Sequence, residues 1–362
     1  MGQVTMDDVA EKAGVSRSAV TAAFSERAST AGIARETRLR ILDAAKELGY
    51  WPNILSRSFI KQQSFLIGML GREAFFLFAM QTIKGIEDVL EPTDYSLLTV
   101  YNGDWAEDQA KHLRKSVSRR VDAIIIVGAP EEPDGPNHHT VRQLQERGVP
   151  IVQLYRRMYP NVPVVMMDDE ATGYLATRHL VEQGHQRIAH VTHEGYLDEE
   201  LPGKYADAFA RYRGYRRAME EAGLRPRALP FARRRYGLGE NDYADECKTV
   251  ARELAFGKQG FTAATTFNDY VVIGLIHCLD AMGVSVPRDI SLVGYDNVEA
   301  GNLIRPSVTT VKPTLTELGR SAAEKILALL DGQAVEDTVF APQLVVRQST
   351  GPVRSQPFLS GH

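Results

Sequence analysis

Ser16, Arg17, Ser18 and Thr21 place hydroxyl and guanidinium groups at the start of a short stretch with helical apolar spacing. Side chains of these types recognise rather than cleave. An arginine fork bonds guanine in bidentate fashion, and a serine or threonine at a helix start suits backbone amides or a phosphate. The residues that break bonds do not assemble elsewhere in the chain. His138 and His139 lie in a Pro/Gly-rich stretch with no acid at ligand spacing and read as loop surface. His185 and His190 are not spaced as a metal pair. Cys247 and Cys278 are the only cysteines and fall in separate segments, which excludes a disulfide framework and a cysteine zinc site and fits a reducing compartment. There is no P-loop, no Gly-x-Ser-x-Gly and no dinucleotide fingerprint. No catalytic residue, metal or cofactor is therefore expected.

The elements that must present Arg17 can be read around it. Thr5 is a helix N-cap followed by an acid three residues on, and Val9, Ala10 and Ala13 recur on one face. Gly14 and Val15 make a tight turn, and Ser16 caps a second helix whose Val20 packs back with Val15. A third helix is expected over about 35–48, with Leu39, Ile41, Leu42, Ala45 and Leu48 inside. Two short helices joined by such a turn form a helix-turn-helix, and the second can enter the major groove of duplex DNA. Residues 1–64 carry 9 Lys+Arg against 7 Asp+Glu, whereas the whole chain carries 42 against 46. A slightly basic head on an acidic body has the sign a DNA-binding unit needs. Pro52 stops the third helix, and the segment that follows is too short to be a stable helix alone.

The 362 residues imply two or three domains. Apolar strand candidates at 65–70, 96–101, 123–127, 188–192, 263–266 and 291–295 alternate with helical stretches at 80–90, 108–118, 212–222 and 271–282. That rhythm indicates parallel α/β sheets in two lobes, with ligand at the carboxyl ends of strands. No apolar run is long enough to span a bilayer, and the N-terminus lacks a basic-then-apolar leader, so a cytoplasmic protein is expected.

Residues 4–21 and 37–53 resemble the opening of the LacI/GalR (lactose-repressor) family of transcriptional regulators. Residues 177–188, 283–297 and 306–311 resemble that family's sensor domain, itself similar to periplasmic sugar-binding proteins. The resemblance implies an N-terminal all-α helix-turn-helix head with a hinge helix, and an α/β two-lobed periplasmic-binding-protein-like sensor domain. The expected domains are a DNA-binding head at 1–51, a hinge at 52–63, a sensor at 64–350 and a tail at 351–362. The sensor's N-lobe is about 64–163 and 313–339, and its C-lobe about 164–312 and 340–350. The implied partners are a near-palindromic double-stranded DNA operator, a sugar-like effector and a second copy of the chain, with no membrane.

The resemblance also implies roles. Thr5 and Ser16 would hold phosphates, and Arg17, Ser18 and Thr21 would read base edges. Asn53 and Arg57 would touch the backbone near the hinge. Phe59 would wedge into the minor groove or pack on the body. Effector candidates are Phe75 and Phe76, which are alternatively core; Asp168 or Asp169; Arg211, alternatively a surface arginine; Tyr243; Asn268 and Asp269; and Asp296. Ala22, Ala34, Tyr155 and a longer loop over 25–34 depart from the family pattern. Two rival functions use the same two-lobed fold: a non-catalytic solute-binding protein and an enzyme.

Overall fold

The computed structural model describes residues 4–24, 33–50, 63–72, 76–102, 111–115, 120–127, 136–193, 206–231 and 242–353. Two units separate between Ser64 and Phe65. In the first, α1 (Met6–Ala13), α2 (Arg17–Ala23) and α3 (Arg35–Leu48) enclose one small core. Thr5 caps α1 reciprocally: Asp8 N–H donates to Thr5 Oγ1 (3.3 Å) and Thr5 N–H donates to Asp8 Oδ2 (2.7 Å). The box satisfies one amide of the first turn and the amide of the cap residue itself. Gly14 ends the helix at φ 63°, a left-handed conformation open to glycine without steric cost. Val9, Val20, Ile41 and Ala45 fill the centre, and Phe24 closes it against Tyr50 with ring centroids 5.8 Å apart. Leu39, expected inside, is 54% exposed. The inner stripe of α3 runs through Ile41, Ala44, Ala45 and Leu48, at i, i+3, i+4 and i+7, and position 39 falls off it.

The second unit begins with β1 (Leu66–Arg72), α4 (Phe76–Leu90), β2 (Ser96–Asn102), β3 (Ala123–Val127), α5 (Pro136–Glu146), β4 (Ile151–Leu154) and β5 (Val164–Met167). It continues with α6 (Asp169–Glu182), β6 (Ile188–His193), α7 (Ala206–Glu221), β7 (Ala228–Phe231), α8 (Asp242–Phe256), β8 (Ala263–Thr266), α9 (Asp269–Ala281), β9 (Ser291–Tyr295), α10 (Glu299–Leu303) and β10 (Thr309–Lys312). It closes with α11 (Leu315–Leu330), β11 (Thr338–Phe340) and β12 (Gln343–Val345). Two six-stranded sheets result, ordered β11-β5-β4-β3-β1-β2 and β12-β10-β9-β8-β6-β7. Among the described residues every strand pair is parallel except β10 with β12.

Both sheets are covered on two faces, and in the first sheet the central strand β3 reads as an unbroken apolar run with all five residues buried. On the first sheet, α4 and α11 pack on one face through Ile86, Leu90, Leu318, Ala322 and Ile326, and α5 packs on the other through Val141 and Leu144. On the second, α8 and α9 cover one face and α6 and α7 the other. His138 and His139, read from the sequence as loop, lie in α5 instead. Pro136 is the first helical position, where its fixed φ and missing N–H cost nothing, so the Pro/Gly-rich stretch opens a helix. Only residues 111–115 of the helix expected at 108–118 are described, and these are helical.

The chain passes between the sheets three times. The first passage follows Met167, later than the expected position near 164, because β5 pairs with β4 and β11 in the first sheet. The second lies between Lys312 and Leu315, and the third between Phe340 and Gln343. A pair of glycines brings two helices together in each lobe. A Cβ on Gly85 would overlap the carbonyl oxygen of Thr316, and one on Gly319 that of Thr82. A Cβ on Gly173 would overlap the carbonyl oxygen of Arg211, and one on Gly214 that of Glu170. Among the described residues no helix is long and apolar enough to cross a membrane, and no three His, Cys, Asp or Glu side chains group as metal ligands.

Candidate DNA-recognition and effector sites

In the head, Ser16, Arg17, Ser18 and Thr21 lie on or beside α2. Ser16 caps it by accepting from Ala19 N–H (3.2 Å), and its hydroxyl lies 2.8 Å from that of Ser18. Arg17 Nη1 lies 3.2 Å from Asp7 Oδ2, with both side chains about two-thirds exposed at 67% and 65%. An ion pair this open holds Arg17 by no more than about 1 kcal/mol, so a guanine edge can displace Asp7. The Thr21 hydroxyl donates to Arg17 C=O (3.1 Å). Thr5, implied as a phosphate donor, gives its hydroxyl proton to Asp8 Oδ2 (2.8 Å) and holds that carboxyl below its usual range. Its hydroxyl is engaged in the capping box. Asn53, Arg57, Phe59 and all of the hinge except residue 63 lie outside the described residues, as does Phe75.

In the second unit both sheets reverse their strand order once, at β1/β3 and at β6/β8. The crevice outside the strand ends at such a reversal is where α/β folds bind ligands. Phe76 is the first residue of α4, which follows β1. His193 ends β6, 7% exposed, with its ring centroid 4.1 Å from that of Phe267 and 6.0 Å from that of Phe231. Phe231 packs in turn on Tyr243 (5.3 Å), whose hydroxyl donates to Asn268 Oδ1 (3.3 Å). The same Asn268 oxygen accepts from Val271 N–H (2.9 Å) and caps α9.

Arg211 joins these strand ends. Its Nε donates to Asp169 Oδ1 (2.8 Å), its Nη1 to Phe267 C=O (3.3 Å), and its guanidinium carbon sits 3.6 Å over the Tyr295 ring. The Arg211 and Asp169 side chains are 14% and 11% exposed, so this arginine is not part of the solvated row formed by Arg213, Arg216 and Arg217. The glycine crossing of α6 and α7 sets its reach, because Asp169 opens α6 and Arg211 lies on α7. Beneath the site, His190 is buried with Nδ1 2.8 Å from the Thr265 hydroxyl and its ring stacked on Tyr215 (5.1 Å). Burial, helped by the Arg211 charge, pushes its imidazole down to about 3.

The remaining candidates divide. Asp168 caps α6, accepting from Ala171 N–H (2.8 Å), so one of its oxygens is committed. Asp296 lies at the end of β9 with φ 109°. Asp269 differs from the expectation. Its side chain is wholly buried and turned under the loop after β9, where Oδ2 accepts from Val298 N–H (2.9 Å). Its chain position beside Asn268 made it look like a second acceptor, but N-cap and first helical residue point to different sides of a helix start. His193, Phe231, Phe267 and Tyr295 escaped sequence reading. Their signal was position alone, each at or just past the carboxyl end of a strand in the second sheet.

Known proteins share this plan. The model of bacterial regulatory proteins of the lacI family matches residues 5–53, and that of a periplasmic binding protein-like domain matches residues 177–350. The HTH-type transcriptional regulator GalR of Escherichia coli (strain K12) is 31% identical over 353 residues, covering 95% of each chain. A crystal structure of the Lac repressor dimer bound to operator and an anti-inducer is 24% identical with a TM-score of 0.75, over 97% of this chain and 100% of that one. A lacI-family regulator from Enterococcus faecium with bound ribose is 25% identical with a TM-score of 0.64, over 80% of this chain and 100% of its own. This chain belongs to the lacI family of bacterial regulatory proteins: it is a DNA-binding transcriptional regulator with a small-molecule sensor domain.

Proposed function

We propose that this regulator is a repressor acting as a homodimer on a near-palindromic operator, released or engaged by a sugar or sugar derivative bound at the strand ends of its sensor. The observation that carries the effector reading is the convergence of Arg211, Asn268, His193 and the Phe231–Tyr243 pair at the order reversal of the second sheet. A planar guanidinium and a side-chain amide suit hydroxyl groups, the carboxylates of Asp168 and Asp296 accept from them, and aromatic faces stack on a sugar ring. The ribose bound by the Enterococcus faecium relative supports the same ligand class.

On DNA, Arg17 and Ser18 read base edges, Thr21 borders them, and Ser16 faces the phosphates from the start of α2. Residues 52–63 form the hinge between the head and the sensor at 64–350. Asn53 and Arg57 touch the backbone there, and Phe59 enters the minor groove. A two-fold dimer sets two such heads on successive half-sites. Effector shifts the balance between two sensor states by binding them with different free energy.

The test is selection of bound duplexes from a random DNA pool by the full-length protein, followed by sequencing. A near-palindromic motif whose enrichment vanishes in the Arg17→Ala, Ser18→Ala double variant supports the reading. A motif unchanged by that double variant would remove α2 from base recognition. Salt-sensitive binding with no motif would leave only phosphate contact.

A further inference from the structure

The buried Asp269 has no place among the effector contacts, yet it is surrounded by features that a structural accident does not require. Residues 296–298 leave β9 in an unusual backbone: Asp296 has φ 109° and Asn297 φ 54°. A non-glycine residue in the first of these conformations is strained, and it persists only if its neighbours hold it. A set of hydrogen bonds does so. Asp269 Oδ2 accepts from Val298 N–H (2.9 Å), and Asn297 N–H donates to the Thr310 hydroxyl (3.2 Å). Arg347 Nη2 donates to Asn297 Oδ1 (2.6 Å), and Asp296 N–H donates to Val311 C=O (3.1 Å). The Thr310 hydroxyl and the Asn297 amide also stabilise the Asp269 carboxylate, as does the Arg347 charge.

Room for the carboxylate is made on the opposite strand. A Cβ on Gly294, in β9, would overlap Asp269 Oδ1. The side chain is fully buried, and burial pushes its carboxyl up to about 7 in spite of those donors. A buried carboxyl of this kind is costly unless its hydrogen bonds are used.

We propose that Asp269 is a positioning residue of the effector site, which pins the left-handed backbone of Asp296 and Asn297 and so fixes where Asp296 stands relative to Asn268. This rests on the reading of the strand ends as a sugar site, but the pinning itself does not need a ligand. Asp269 lies in the first turn of α9, directly after the Asn268 cap, so one rigid helix start carries both an effector contact and the anchor of the facing loop. Closing the distance between Asn268 and Asp296 would then be resisted by the anchor rather than by the contacts themselves.

The experiment compares full-length wild type, Asp269→Asn and Thr310→Val by hydrogen–deuterium exchange of the ligand-free protein, and by calorimetric titration with D-ribose as the probe sugar. The Asp269→Asn change keeps the size and one acceptor, but its amide nitrogen cannot accept from a further donor. Thr310→Val removes the hydroxyl between Asn297 and the carboxyl and serves if the first variant does not fold. The expected result is at least tenfold faster exchange at the Asn297 and Val298 amides in both variants, with ribose affinity lowered at least tenfold. Unchanged exchange in the variants overturns the pinning. Faster exchange with unchanged ribose affinity overturns the positioning role. Failure of the wild type to bind ribose counts against that sugar only, and the exchange result then decides the pinning by itself.

Discussion

Arg211 sits on Asp169 and over Tyr295 with little exposure, and its replacement separates charge from shape. Arg211→Ala takes the guanidinium away from the mostly buried Asp169 and is expected to destabilise the protein by about 1–3 kcal/mol, read as a shift in the urea midpoint. Arg211→Lys returns the charge but neither the planar fork nor the stack. It should recover most of the stability while sugar affinity stays at least tenfold down; full recovery of affinity would show that the fork is not used. His190 makes a separate prediction from its pH behaviour. Its folded-state pKa is depressed from 6.5 to about 3, so its contribution to stability is present above pH 6.5 and is lost as the pH falls toward 3. Each unit of descent costs about 1.4 kcal/mol at this site, and His190→Gln should flatten that part of the stability–pH curve. From the sequence His190 was recognisable only as a residue unsuited to a metal pair, because its stacking on Tyr215 and its bond to Thr265 join positions far apart in the chain.

Helix starts and helix crossings decide where these residues stand. Ser16→Ala removes the cap of α2 and should lower the stability of the head by about 1 kcal/mol, measured on its own unfolding transition. Gly214→Ala forces a methyl group against the carbonyl oxygen of Glu170. Overpacking of this sort costs about 1–3 kcal/mol. The parting of α6 from α7 should also lengthen the Arg211–Asp169 contact, lowering sugar affinity together with the thermal midpoint. A variant with unchanged midpoint would mean that the crossing is slack. At this scale the sequence was most readable where a single local signal sufficed. The caps Thr5 and Ser16, the extent of α3, and the strands β3, β8 and β9 follow from side-chain type and apolar runs. Helices α4, α7 and α9 begin at Phe76, Ala206 and Asp269, earlier than the starts expected at 80, 212 and 271. Strands β4, β5, β7, β10, β11 and β12 were not among the apolar runs read as strands; each has only three or four residues, and at that length a run seldom separates a strand from a turn.

Each of the two units holds its own core. The head core is small, and small cores are marginal. Calorimetry should therefore show two transitions, with the lower one sensitive to Ser16→Ala and insensitive to Gly214→Ala; a single transition moved equally by both would show that the units unfold together. The two-lobed α/β plan was legible from the alternation of strands and helices, whereas the placement of β5 in the first sheet was not, since pairing with β4 and β11 is a non-local fact. The three passages between sheets have a topological consequence. Neither lobe is a contiguous stretch of gene: the first sheet needs residues 66–167 together with 315–340, and the second is closed by β12 after the last return. A protease cut in any one passage leaves the lobes tied by the other two. A chain divided after Met167 and made as two pieces has to exchange α11 and β11 across the break to rebuild the first sheet, so such halves can regain a native sensor only by finding one another.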